Sequence, residues 1–264
     1  MATASAADQL RTRLALALTA LLAGGAFAPT ADAQIVNTLR RWSDAEPGWD
    51  GDIQARLAVA SGNTEYLEFA GGASLQFVTE RHRVRGFANA SVRRASGEKI
   101  AESVTAHLRH NYRLTPAFST LVFLQHSSDP FRRIESRTLA GAGTRIDIVR
   151  EEAWEVSIGL SAMYENEAFT DDPTGERENE FRGSSFVSAV GTVTETLRLD
   201  LSAFYQPLFA SWGDDRLFVA SSIRVDVVGE LDLVVRFDLQ RESRPPAGVE
   251  PTDLSLSTGF VLDF

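Results

Sequence analysis

The chain has no cysteine, which excludes disulfides and thiolate metal sites and leaves hydrogen bonding and packing to hold the fold. It has no excess of basic residues: the formal net charge is -10, and no stretch gathers the positive charge that nucleic-acid binding requires. Lysine is nearly absent, Lys99 being the only one, which is read as a compositional bias of the source rather than a functional signal. Beyond the first residues there is also no long apolar run, so the remainder cannot cross a membrane as helices. Histidines are few, and His82, His107 and His110 show no spacing that would gather metal ligands on one face.

The one apolar run lies at the start. Arg11 and Arg13 precede Leu14 to Leu22, and the small residues Ala31-Asp32-Ala33 follow, the layout of a secretory signal peptide cleaved after Ala33. Gly24-Gly25 interrupts the run and leaves it short for a spanning helix. The expected organisation is a signal peptide over residues 1–33, a periplasmic segment over 34–48 that Pro47-Gly48 terminates, and a barrel over 49–264.

From Trp49 onward apolar and polar residues alternate with a period of two, which means strands with one apolar face. The pattern is plain in Trp154, Val156, Ile158, Leu160, Ala162 and Tyr164 set against Glu155, Ser157, Gly159 and Ser161, and again in Leu254, Leu256, Thr258, Phe260, Leu262 and Phe264. It resolves into twelve strands, of which the fifth (near Thr120 to Ser128), sixth (near Arg137 to Ile148) and eighth (near Phe181 to Val190) have uncertain facing. Tight connections such as Thr79 to His82 and Val228 to Glu230 alternate with long polar ones around Ala95 to Glu102, Asp129 to Glu135, Asn166 to Glu180, Phe209 to Asp215 and Glu242 to Thr252. Ser61 to Thr64 is a tight exception on the long side. The expectation is an all-β, antiparallel, up-and-down transmembrane barrel in the bacterial outer membrane, with strands of about 9–11 residues. Aromatic girdles are expected from Trp49, Phe77, Tyr112, Trp154 and Phe264 at one rim, and from Tyr66, Tyr164 and Phe181 at the other. A soluble barrel with its apolar face turned inward is the competing architecture.

Three local motifs carry a family resemblance: Trp49-Asp50-Gly51 opening the first strand, Ser61-Gly62-Asn63-Thr64 in the first turn, and Ser136 to Gly143 after an Asp129-Pro130-Phe131 loop. With these the mature chain resembles the YdiY-like outer-membrane family, whose domain has no known function and some of whose members are described as salt-induced. The resemblance implies an outer-membrane barrel and supplies no catalytic residues. Phe264 likewise resembles the terminal signal read by the barrel-assembly machinery.

On the polar face, charges of both signs point to a lumen. Arg56, Arg85, Arg109, Asp200, Arg224, Asp226, Arg236 and Asp238 are the lumen-lining candidates. They support either a salt-bridged structural interior or a narrow small-solute channel. His126 and Ser128 share a strand face near Asp129 and Glu135, which raises an alternative reading, an outer-membrane lipid hydrolase. No third member is compelled by spacing, so no catalytic residue, metal or cofactor is expected. The acidic run from Glu167 to Glu180 reads as a solvated outer loop. The expected partners are outer-membrane lipid, lipopolysaccharide and the assembly machinery, with no nucleic acid.

Overall fold

Every long alternating segment of the sequence forms a strand. The computed structural model describes residues 47–60, 65–170 and 177–263. The proposed signal peptide, the Ser61 to Thr64 turn and Phe264 lie outside them. The strands are β1 (Gly48–Ala60), β2 (Tyr66–Val78), β3 (His82–Ala95), β4 (Glu98–Arg113), β5 (Phe118–Asp129) and β6 (Ile134–Arg150), then β7 (Trp154–Phe169), β8 (Arg177–Thr194), β9 (Leu197–Leu208), β10 (Ser211–Val228), β11 (Leu231–Glu242) and β12 (Thr252–Asp263). One 3-10 turn, Pro130–Arg132, joins β5 to β6. Each strand pairs antiparallel with its sequence neighbour, and β12 returns to β1, closing a twelve-stranded barrel.

The apolar face points out and the polar face in. Ile53, Leu57, Phe69, Leu108, Leu160 and Phe260 are exposed on the outer surface, whereas Asp52, Glu68, Arg85, Glu155, Asp232 and Asp238 are buried inside. This arrangement is the reverse of a soluble barrel. The register irregularities fall near strand ends, at Arg93/Arg94, Ser127/Asp129, Ile134/Ser136, Asp147/Val149, Thr192/Thr194, Ser211/Asp215 and Asp226/Val228. A bulge would exchange the two faces, so its absence from mid-strand is why parity counted from the sequence holds across the barrel.

Several expectations need correction. The strands run from 12 residues in β5 to 18 in β8 and β10, longer than a membrane crossing requires. Most of the connections expected to be long are therefore strand. Ala95 to Glu102 contains only a two-residue turn, Ser96-Gly97, with φ of 49° and 81°, the positive values that a tight hairpin demands. Phe209 to Asp215 reduces to Phe209-Ala210 between β9 and β10, and Glu167, expected in a loop, belongs to β7. The stretch between β11 and β12 remains an extended connection. Tyr66 is not a girdle residue either. It shares the inward face of Glu68 and donates its hydroxyl to Glu68 Oε2 at 2.5 Å. Four of the expected girdle residues pair on the outside, Trp49 with Phe77 at 5.0 Å between ring centroids and Tyr164 with Phe181 at 5.3 Å.

The uncertain facing of β5, β6 and β8 has a physical cause. Their inner faces carry Leu121, Phe123, Leu139 and Phe186, so both faces of these strands are apolar and the alternation fades. With Met163, Phe204 and Phe218 these side chains build an apolar packing inside one half of the barrel, where Met163 and Leu121 are only 1% and 2% exposed.

Candidate functional site

The candidate site is the barrel interior, which divides into layers along the axis. At the end holding the start of β1 and the end of β12, charges pair within strands and with strands one or two places away. Arg145 reaches Asp147 at 2.7 Å and Glu155 at 2.5 Å, and Arg198 lies 2.9 Å from both Asp226 and Asp232. Gln76 donates to Asp50 at 2.7 Å and accepts from Arg83 Nε at 3.0 Å, while Ser74 donates to Asp52.

In the middle of one half, aromatic rings fill the bore. Arg109 lies 5.8 Å from the ring centroids of both Phe123 and Phe186, an arrangement that offsets part of the cost of burying its charge. His107 stacks beside Phe87 and Phe123 and shares a 3.1 Å hydrogen bond with Gln125. A cavity of about 50 Å³ remains among these groups.

At the loop end an ion-pair network crosses the lumen. Arg216 on β10 reaches Glu165 at 2.5 Å and Glu167 at 3.0 Å, both on β7, and Glu242 on β11 at 3.3 Å. Arg137 on β6 holds Glu167 at 2.6 Å and the same Glu242 oxygen at 3.3 Å. Arg132, from the 3-10 turn, joins Glu242 at 3.7 Å and Asp253 at 3.4 Å, and Arg182 joins Glu180 and Asp214. The β6–β11 and β7–β10 links connect strands that are not neighbours, so the network spans the bore instead of lining it.

The opposite half, toward β1–β4, β11 and β12, is less filled. It holds a cavity of about 120 Å³ whose wall mixes small and apolar residues with hydroxyl and amide groups, and Arg56, Arg236 and Asp238 border it as well. On this scale that is room for several waters, each needing roughly 10–15 Å³. Arg56 pairs with Glu68 at 2.5 Å, and Arg236 Nη2 donates to Gln54 Oε1 at 3.5 Å.

All eight lumen-lining candidates point inward, but they do not form one constellation. Asp200, Arg224 and Asp226 belong to the layer at the terminal end, where Ser222 donates to Asp200 at 2.8 Å and Arg224 lies 3.4 Å from Asp232. Arg56, Arg236 and Asp238 border the larger cavity, Arg109 sits among the phenyl rings, and Arg85 is buried on the inner face of β3. The crossing network was not read from the sequence. Its signal was present: Glu165 and Glu167 continue the inward parity of Ser157, Gly159 and Ser161 beyond the point where the strand was expected to stop.

The His126 and Ser128 pair gains no triad geometry: among the described residues no hydrogen bond joins His126 to Ser128 or to Asp129. His126 is exposed on the outer surface with Nδ1 2.9 Å from Thr138 Oγ1. Asp129 is on the inward side and accepts from the Arg132 backbone N–H at 3.2 Å. A register shift between Ser127 and Asp129 separates the carboxylate from the pair.

Comparison with known proteins agrees with this fold. No curated protein matches the chain. Among solved structures, the COG4313 outer membrane channel from Pseudomonas putida F1 is similar at 12% identity and a TM-score of 0.50, covering 90% of this chain and 100% of that one. The NanC porin aligns at 7% identity and a TM-score of 0.49, over 81% of this chain and 98% of its own. The translocator domain of the autotransporter NalP from Neisseria meningitidis aligns at 10% identity and 0.49, over 97% and 98%. The family described as "Protein of unknown function, DUF481" matches residues 53–264, and this is the family of the YdiY-like proteins. The chain thus belongs to the DUF481 family.

Proposed function

We propose that the protein resides in the bacterial outer membrane as a filled barrel that leaves only a narrow path for small hydrophilic solutes, along the β1–β4 and β11–β12 wall. The observation that carries this is the buried network in which Arg216 and Arg137 tie β10 to β7 and β6 to β11 across the bore. An open porin lines its lumen with charge, whereas here the charges meet one another and neutralise. Mixed signs in the remaining path give weak selectivity. The COG4313 structure is named as a channel, which supports a conducting role for the fold at low likeness. In this reading the outer surface contacts lipid and, at the loop rim, lipopolysaccharide. The assembly machinery receives β12 together with Phe264, and the segment before Gln34 is removed on export.

Planar-bilayer recording tests the reading. The wild-type barrel should show only small conductance steps. Replacing Glu167 and Glu242 together by Gln leaves Arg132, Arg137 and Arg216 with only Glu165 and Asp253 to face them, so conductance should rise and become anion-selective. Large, stable wild-type steps would overturn the filled-barrel reading. The hydrolase alternative predicts that Ser128→Ala abolishes fatty-acid release. With Asp129 turned inward, this substitution is expected to leave membrane lipid profiles unchanged.

A further inference from the structure

The closure of the barrel is incomplete along its height. Strands β1 and β2 pair along all of β1, from Gly48↔Val78 to Ala60↔Tyr66. Strands β1 and β12 pair only from Asp52↔Asp263 to Ala55↔Phe260. Above that point Arg56 to Ala60 on β1 and Thr252 to Gly259 on β12 continue as strand without pairing to each other. At about 3.3 Å per residue, the unpaired part of β1 extends roughly 16 Å.

Three features give this seam a meaning. Its outward flanks are apolar and exposed, Leu57 and Val59 on β1 and Leu254 and Leu256 on β12, so the seam faces the hydrocarbon layer. Unpaired backbone groups facing lipid cost several kcal/mol each unless water or a guest satisfies them. The 120 Å³ cavity lies directly behind, and residues of both parted edges, Arg56, Ser257 and Gly259, form its wall. Finally, Arg236 stands at the height of the seam, opposite Ser257 in the β11–β12 register. Among the described residues its guanidinium makes a single hydrogen bond, the long one to Gln54. The nearby carboxylate of Asp238 accepts from Ser255 at 3.5 Å and has further partners of its own, and Asp200 is within reach of the Arg236 charge.

We propose that the β1–β12 seam is a lateral portal through which a single-chain amphiphile with an anionic head enters the cavity from the bilayer. The head sits against Arg236 and the tail lies between the Leu57/Val59 and Leu254/Leu256 flanks. The chemistry calls for a molecule acidic at one end and apolar at the other, because one side of the portal is lipid and the other is a mixed polar and apolar pocket in which Arg236 holds only a long hydrogen bond. A carboxylate or a phosphate monoester would serve equally. This goes beyond the proposed solute path, which runs along the barrel axis and does not need the seam.

The absence of native cysteine makes the portal testable. In the full chain assembled in nanodiscs, the Ile53→Cys/Leu262→Cys pair is in register and should oxidise readily. The Leu57→Cys/Thr258→Cys pair, four residues further on the same face and two beyond the last paired position, should not, since α-carbons beyond about 7 Å cannot be bridged. A diazirine-bearing lauric acid should then label inner-face residues such as Asn89 and Thr105 as well as the outer surface. Arg236→Gln should cut the inner labelling about tenfold relative to the outer, and a diazirine-bearing lauryl alcohol should label only the outside. Dodecyl phosphate should compete with the lauric acid probe as well as unlabelled laurate does. Equal oxidation of both cysteine pairs, labelling confined to the outside, or Leu57→Cys dimers between two barrels would each overturn the portal. Conductance is read separately, so a wide axial pore would refute the filled-barrel reading without touching this one.

Discussion

At the residue scale, the filled half of the lumen depends on glycines placed opposite aromatic rings. Phe186 lies over Gly159 across the β7–β8 pair, and a methyl at that glycine would come within 2.1 Å of the ring; Phe123 covers Gly141 in the same way at 2.4 Å. Arg109 lies against both rings and restricts their retreat. Gly159→Ala should therefore overpack the interior and cost roughly 1–3 kcal/mol, read as a lower urea or heat midpoint of the folded gel species. Gly86→Ala is the contrasting case. Its methyl would meet Leu108 at 3.7 Å, an ordinary contact on the outer surface, and the midpoint should stay close to wild type. The glycines were visible in the sequence, but their partners were not, since a phenylalanine on an inner face reads the same as one facing lipid.

At the element scale, the decisive property is which face of each strand meets lipid. Leu199 on β9 points outward, and an arginine there would have to sit in hydrocarbon at a cost of roughly 2–4 kcal/mol near the midplane. Ser91 on β3 lines the larger cavity, where an arginine meets hydroxyls and water. Leu199→Arg should thus deplete assembled barrel in the membrane fraction while Ser91→Arg assembles, and equal tolerance would mean that the faces are reversed. Strand number and order, and the facing of all but β5, β6 and β8, were legible because the bulges stay at strand ends and leave mid-barrel parity intact. Strand ends were not legible. Polar runs such as Asn166 to Glu180 look like loops, yet much of that run, including Glu167 on β7 and Glu178 on β8, is paired strand. Rising above the lipid, such strands need no apolar face, so the signal that marks a strand within the membrane is missing there. The same loss hid the crossing network, whereas Arg56, Arg109 and Asp200 lie within the regular alternation, where inward placement can be counted from the sequence.

At the scale of the whole molecule, two kinds of closure hold the barrel: the ladder around its wall and the ion pairs through its middle. Glu242 is the junction of the second kind, meeting Arg132, Arg137 and Arg216, which come from the 3-10 turn, β6 and β10. The side chains concerned are between 3% and 9% exposed, so removing the carboxylate leaves three buried cations with less compensation. Breaking a buried pair from one side typically costs about 3–5 kcal/mol, whereas an exposed pair is worth about 0–1 kcal/mol. Lys99 and Glu102 form such an exposed pair, at 2.7 Å and with side chains 40% and 41% exposed. A compact barrel resists detergent, so the unboiled protein should run at a different apparent size from the boiled one on a denaturing gel. The temperature at which the folded band disappears then measures stability. Glu242→Ala should lower it well below wild type, and Lys99→Ala should leave it unchanged. If Glu242→Ala converts at the wild-type temperature, the crossing network is not a structural tie and the barrel stands on its hydrogen-bonded wall alone.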